Sequence, residues 1–281
     1  MNILITGITG FLGRNLTNYI KNHQKYFNAK IVGTAFSESK LSEFINKYPD
    51  ITTYIVNLSS GDLRAKMELI IKTHNINYII HCAAMKHVDI CQENPNLTMK
   101  VNFIATNIIM DVAKNIGINN VIALSTDKAN NPCNTYGISK YLMQNDVMAN
   151  KFSIYQGANF FWSDGSVLDI WFNQYKRKKP ITFRSFDYVR YFNTIEHVCE
   201  RIIDNIDEKN KVILPNHVYV IKIKELLDCF CKYFDYHNTI IIPENEFEKS
   251  VEILKDDVQN IITLNKDDIY HLIDEYFKNY I

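Results

Sequence analysis

The sequence predicts an α/β fold, a doubly wound parallel sheet with a smaller mixed α/β lobe at the C-terminal end, and three observations predict it. Over roughly the first 160 residues, short apolar runs rich in β-branched residues alternate with longer segments of helical period. The runs are unbroken rather than alternating, as strands covered by helices on both faces require. A turn with glycines at every third position directly follows the first run.

In chain order the predicted strands are Asn2 to Thr6, Lys30 to Ala35, Thr53 to Asn57, Tyr78 to His81, Asn120 to Leu124 and Ser153 to Asn159, with helices between them. Beyond them the pattern loosens into a mixture rich in Phe, Tyr and Asn, with helices predicted near Ser166 to Tyr175, Thr194 to Ile206 and Lys222 to Phe234. The expected division is residues 1–158 for a nucleotide-binding domain that also carries the chemistry, and residues 159–281 for a mainly substrate-binding lobe. No repeat or low-complexity linker separates them, so the two are expected to interleave.

Composition narrows the function. The 281 residues carry 31 Lys plus Arg and 31 Asp plus Glu, and 47% are hydrophobic, enough for a substantial core. With no net positive charge, nucleic acid is not an expected partner, and the run Lys176 to Lys179 is expected to be a solvated helix end. The six cysteines show neither paired nor ligand-like spacing, so no metal site is expected and the thiols are expected to be reduced in a cytoplasmic protein. No apolar run reaches the length of a membrane span, and membrane insertion is not expected. Trp162 and Trp171 are expected in the core or an interface.

The glycine turn, TGITGFLGRN, carries the first site. Gly7, Gly10 and Gly13 lie between the first strand and the first helix, where a dinucleotide pyrophosphate must approach bare backbone at a helix N-terminus and side chains would obstruct it. Gly7, Thr9, Gly10, Phe11, Leu12 and Gly13 are therefore candidate cofactor residues of a Rossmann-type sheet. At the end of the second strand an acidic side chain would favour NAD and a basic one NADP. Ser37, Glu38, Ser39 and Lys40 offer both signs; Ser37 and Lys40 are taken as cofactor residues and the reading leans to NADP, with NAD the alternative. Lys40 as the start of a solvated helix fits equally. Asn57 and Leu58, after the third strand, are the candidates near the adenine.

Tyr136 and Lys140 in TYGISKY form the second site. Four residues apart on a helix, they share one face. A phenol with an ordinary pKa near 10 is a poor base at neutral pH unless a nearby ammonium stabilises the phenolate, and Lys140 is expected to do so. Thr126, at the end of the fifth strand, can offer a hydroxyl to the same substrate oxygen.

The glycine loop, HCAAMKHVD from His81, LSTDKANNP from Leu124 and NTYGISK from Asn134 resemble the extended short-chain dehydrogenase/reductases. They are most similar to the inverting UDP-N-acetylglucosamine 4,6-dehydratases of polysaccharide biosynthesis. The Asp127-Lys128 pair after Thr126 carries that finer likeness, since related glucose dehydratases have Asp-Glu there. The resemblance covers residues 1 to 150 and continues more faintly through GANFFWSDGSV and ITFRSFDYVRYFNTIEHV. It implies that Cys82, Ala83, Ala84 and Lys86 border the nicotinamide together with Tyr136 and Lys140, that Lys86 and His87 reach substrate, that Asn159, Ser163 and Ser166 lie near the sugar, and that Arg190 meets the diphosphate. The chain departs from the family at YQGAN, where Arg-Tyr-Gly-Asn is usual, and lacks a recognisable Gly-Glu-Lys motif near Pro243 to Val251.

The implied chemistry passes hydride from sugar C4 to a tightly bound, recycled NAD(P), eliminates water across C5 and C6, and returns the hydride to C6. Tyr136 would take the O4 proton with Thr126 positioning that oxygen, while Lys128 as base and Asp127 as acid would serve the elimination; the reverse assignment balances protons equally. A UDP-sugar is the expected partner and a homo-oligomer the expected assembly. A nucleotide-sugar epimerase or 4-keto reductase would use Thr126, Tyr136 and Lys140 without needing Asp127 and Lys128. A non-catalytic dinucleotide sensor would have no use for all three.

Overall fold

The computed structural model describes residues 1–252, 258 and 260–280. They form two units, Met1–Gly157 with Ile195–Leu214, and Ala158–Thr194 with Pro215–Ile281.

The first unit is built on β1 (Asn2–Thr6), α1 (Phe11–Asn22), β2 (Lys30–Ala35), α2 (Glu38–Lys47), β3 (Thr52–Ile55), α3 (Leu63–Thr73), β4 (Tyr78–His81), α4 (Val88–Glu93), α5 (Pro95–Met99), α6 (Ala105–Ile116), β5 (Asn120–Thr126), α7 (Thr135–Ala149) and β6 (Ser153–Gly157). The later segment adds α9 (Ile195–Asp204) and β10 (Val212–Ile213). Seven strands lie in the order β10-β6-β5-β4-β1-β2-β3, every pairing parallel. The order turns back on itself between β1 and β4, the switch point at which open α/β sheets bind ligands beyond the strand C-termini.

The strands follow from their residues. Ile3, Leu4 and Ile5 are fully buried, and Leu4, Val32, Ile79, Val121 and Ile154 from five strands meet Met67, Ile109, Met110, Met143 and Val147 from α3, α6 and α7 in one core cluster. Each such side chain contributes about 1.5–3 kcal/mol by leaving water. Elsewhere α9 packs on α1 and buries Ile202 and Ile203. Helix ends carry their own signals: Pro95 opens α5, Gly117 at φ 88° closes α6, and the Asn134 side chain caps α7 by accepting from Gly137 N at 2.7 Å.

The second unit holds β7 (Asn159–Phe160), α8 (Val167–Lys176), β8 (Ile181–Phe183), β9 (Val189–Asn193), β11 (His217–Lys222), α10 (Ile223–Phe234), β12 (Thr239–Ile241), β13 (Asn260–Thr263) and α11 (Lys266–Tyr280). A four-stranded mixed sheet runs β13-β11-β9-β7, and β12 pairs with β8. Aromatic rings fill this unit's core. Trp171 meets Phe230 at 5.6 Å between centroids, and Phe172, Phe234 and Phe277 pack mutually at 5.3–5.6 Å.

Three sequence expectations need adjustment. The third strand ends at Ile55 rather than Asn57, because Asn57 Oδ1 accepts from Ser59 N and Oγ and turns the chain. The fifth runs on to Thr126. The sixth stops at Gly157, and Asn159 begins a strand of the other sheet.

Candidate active site

Beyond β1 the chain turns sharply. Gly7 has φ +68°, a left-handed conformation costly for other residues, and a Cβ there would lie 2.9 Å from Ala83 Cα and N. A Cβ on Gly13 would lie 2.5 Å from the Gly7 carbonyl, so Gly13 lets α1 close on the turn. Around Gly10 the surroundings differ: an added Cβ would meet only the Gly7 carbonyl, at 3.2 Å. The N-terminus of α1 has no side-chain cap and no acid in its first turn. An uncapped helix end behind the lightly crowded Gly10 fits a dinucleotide pyrophosphate. Thr9 and Leu12 are buried, Phe11 half-buried, and the Thr9 carbonyl accepts from Arg14 Nη1 at 2.8 Å.

The remaining candidate cofactor residues flank this turn. Ser37 caps α2, accepting from Lys40 N, and Leu58 packs against the core cluster. Cys82 N donates to the Thr6 carbonyl at 3.2 Å, extending the β1–β4 ladder one residue. Burial pushes the Cys82 thiol up to about 12, so it lines its surroundings as a small apolar group. His87 begins α4, and its pKa is lowered by burial first and then by Lys86 and Lys40. Lys40 and Lys86, from opposite sides of β1, therefore bear on one spot.

The candidate catalytic residues converge at the ends of β5 and α7. Thr126 Oγ1 donates to Asp127 Oδ1 at 2.8 Å, and Lys128 Nζ donates to the same oxygen at 3.2 Å. The other carboxylate oxygen, Asp127 Oδ2, is buried without a partner. Thr126 also bears on the Tyr136 phenol, in the sense that lowers its pKa and favours the phenolate. Gly137 permits this closeness: a Cβ there would stand 2.5 Å from the Lys128 carbonyl.

Burial pushes the Tyr136 phenol up to about 12, and the positive charge that offsets this is Lys128. The Lys140 ammonium donates to the Leu124 carbonyl at 2.6 Å, and burial lowers its pKa to about 8.

The second unit holds the other candidates. Asn159 Nδ2 donates to the Tyr191 carbonyl at 2.9 Å. Ser163 is buried, and Ser166 N donates to the Ser163 carbonyl at 2.8 Å, leaving Ser166 Oγ buried without a partner at the start of α8. Arg190 is already engaged: Nη1 donates to the Val189 and Ser250 carbonyls, Nη2 lies 3.7 Å from Glu248, and the guanidinium stacks on Tyr188. Any diphosphate would have to compete with Glu248 for it.

Sequence reasoning missed a buried polar layer beneath the site. Gln156 Nε2 donates to the Thr126 carbonyl at 3.1 Å and to Asn130 Oδ1 at 2.9 Å. Asn102, in a π-turn at Lys100–Ile104, clamps Met85 N and O with its side-chain amide. Asn102 and Thr106, polar residues four apart in an otherwise apolar run, were the available signal. Among the described residues no three His, Cys, Asp or Glu side chains gather as a metal site, and no helix is long and apolar enough to cross a membrane.

Comparison with known proteins gives the same outline. The chain is 29% identical over 228 residues to the inverting UDP-N-acetylglucosamine 4,6-dehydratase of Campylobacter jejuni, covering 76% of this chain and 66% of that protein. It is 27% identical over 221 residues to UDP-glucose 4-epimerase of Rickettsia rickettsii, covering 74% of this chain and 63% of that one. The chain thus spans just under two thirds of the length of these curated relatives. Its fold matches the crystal structure of dTDP-glucose 4,6-dehydratase from Streptomyces venezuelae, solved with NAD bound, with a TM-score of 0.83 at 13% identity over 99% of this chain and 98% of that one. The polysaccharide biosynthesis protein family model matches residues 3–272, and the chain belongs to that family, with the fold of the extended short-chain dehydrogenase/reductases.

Proposed function

We propose that this protein is a nucleotide-sugar 4,6-dehydratase acting on UDP-N-acetylglucosamine with inversion at C5. The observation that carries the reading is Asp127, a buried carboxylate with one oxygen saturated by Thr126 and Lys128 and the other bare. Leaving a buried polar atom unpartnered costs about 1–3 kcal/mol, and sites that hold one in reserve for a ligand recover that cost on binding.

In this reading Thr126 and Tyr136 hold the sugar O4, and Tyr136 accepts its proton while hydride leaves C4. Bound, the oxidised nicotinamide supplies the hydride acceptor and later the donor to C6. Lys128 brings the Tyr136 phenol down from the value that burial alone would set. The C4 ketone acidifies the C5 proton, Lys128 removes it, and Asp127 protonates the departing C6 hydroxyl; hydride return to C6 is then matched by a proton from solvent to C5, on the face opposite the one it left, and Asp127 and Lys128 in exchanged elimination roles balance equally.

NADP is the preferred cofactor because Lys40 lies just beyond the second strand, where a basic side chain suits a 2′-phosphate, while Lys86 and His87 are proposed beside the nicotinamide and the substrate. Gly7, Thr9, Gly10, Phe11, Leu12, Gly13, Ser37, Asn57, Leu58, Cys82, Ala83 and Ala84 complete the proposed cofactor set. Asn159, Ser163, Ser166 and Arg190 are proposed to contact the sugar nucleotide.

Epimerase activity is the second reading, favoured by the engagement of Asp127 with Lys128. The test is mass spectrometry after incubation with UDP-N-acetylglucosamine and NADP. Dehydration gives a product lighter by one water, whereas epimerisation leaves the mass unchanged and contradicts the first reading.

A homo-oligomer is part of the proposal. Ile138, Tyr141 and Leu142 on α7 and Ile104 in the π-turn are exposed apolar residues of the first unit. Light scattering is expected to give a dimer or larger, and a monomer at micromolar concentration contradicts it.

A further inference from the structure

Beneath the proposed cofactor site a chain of buried hydrogen bonds has its direction fixed by chemistry. Thr106 Oγ1 is 2.9 Å from the Asn102 carbonyl, to which only a hydroxyl proton can be given, so its oxygen must accept from His81 Nε2, 2.9 Å away. His81 is then protonated at Nε2, and Nδ1 accepts the Thr6 hydroxyl at 2.7 Å. Thr6 Oγ1 in turn accepts from the backbone N of Ala83 at 3.2 Å. Burial, reinforced by Lys140, pushes the His81 pKa down to about 3, so the ring stays neutral. Every proton from Ala83 to Asn102 points the same way, and such aligned chains strengthen each other.

The chain also closes on itself. Its far end, Asn102, holds Met85 by both backbone groups, at 2.8 and 2.9 Å. Ala83 to Met85 is thus held at one end by Thr6 on β1 and at the other by Asn102 in a π-helical turn, a feature that recurs at functional sites. Ala83 lies directly against Gly7, where even a methyl group has no room.

We propose that Thr6, His81, Thr106 and Asn102 are positioning residues that set the height of the Ala83–Met85 backbone beside the glycine turn, and thereby the dinucleotide affinity. This rests on the cofactor reading above.

Thr6→Val and Thr106→Val keep shape but break the chain at different links, whereas Thr6→Ser and Thr106→Ser keep it. Titrating each purified variant with NADP and NAD, with thermal melts alongside, tests the proposal. Both valine variants are expected to bind at least about 10-fold more weakly, a loss of one hydrogen-bonded link. Both serine variants are expected to stay within about 3-fold of the parent, and the double valine variant to bind no worse than the weaker single one, since the chain is already broken. Valine variants that melt lower yet bind as the parent does overturn the proposal. A parent that binds neither dinucleotide overturns the cofactor reading and this proposal with it. Independently of any variant, the ¹⁵N shifts of His81 should show Nε2 protonated and Nδ1 bare between pH 5 and 8; protonation at Nδ1 contradicts the chain.

Discussion

Lys140→Met is expected to stabilise the fold while nearly abolishing turnover. Lys140 is 4% exposed, and burial holds its ammonium at a pKa of about 8 instead of the usual 10.5. At about 1.36 kcal/mol per pH unit, that gap corresponds to roughly 3 kcal/mol of folding free energy forgone while the group is charged. Methionine fills similar volume without charge, and losing the bond to the Leu124 carbonyl returns about 1 kcal/mol of the gain. A net stabilisation of about 2 kcal/mol at pH 7 follows, measured by denaturant unfolding. Its pH dependence has a definite sign. Below pH 8 the group is protonated in both states and the whole cost is present. Between about 8 and 10.5 the folded chain has released a proton that the unfolded chain still holds, so the parent gains stability as pH rises and the advantage of the variant shrinks. Turnover is expected to fall about 10²–10⁴-fold, the span of a lost acid-base function, because Lys140, on the Tyr136 face of α7, is proposed to support the phenolate. A variant destabilised at pH 7 would contradict the burial argument.

Asp127→Asn and Lys128→Ala are expected to separate the steps of the reaction. Asp127→Asn leaves Thr126 and Tyr136 in place but removes the carboxyl that would protonate the leaving hydroxyl, so water elimination should slow about 10²–10⁴-fold while hydride exchange at C4 continues. Lys128→Ala should lose elimination as well and also slow C4 oxidation at neutral pH, because Lys128 is the charge that pulls the Tyr136 phenol down. The pH profile of C4 oxidation should move upward in the lysine variant alone. Product formation and isotope exchange at C4, followed in parallel, measure both. An Asp127→Asn enzyme that still eliminates water at the parent rate removes Asp127 from the mechanism, whereas a parent that exchanges hydride at C4 but eliminates no water favours the epimerase reading.

What could be read from the residues was local. β1, β2 and β4 occupy the residues expected of them, because fully buried parallel strands are written as unbroken β-branched runs. α10 begins within one residue of its expected start, on a strong apolar stripe. The strands of the second unit were not legible: β7 has two residues, and β12 and β13 are exposed throughout, so neither length nor burial imposes a period. The glycine turn and the Tyr136-Lys140 spacing announce themselves because a single turn or helix face contains each whole motif. The chain through Thr6, His81 and Thr106 spans sequence separations of 75 and 25 residues, and nothing local marks its members as partners. The hydrogen bond of the Lys140 ammonium was hidden for the same reason. Helix spacing puts Lys140 on the Tyr136 face, but only the fold shows its ammonium turned to the β5 carbonyl.

The measurement that tests the central claim most directly is proton NMR of the protein incubated with UDP-N-acetylglucosamine and NADP in deuterated water. The account predicts a new 6-deoxy methyl signal, deuterium at C5 and ring couplings altered by inversion there. An unchanged sugar spectrum from a protein shown to hold its dinucleotide would contradict it.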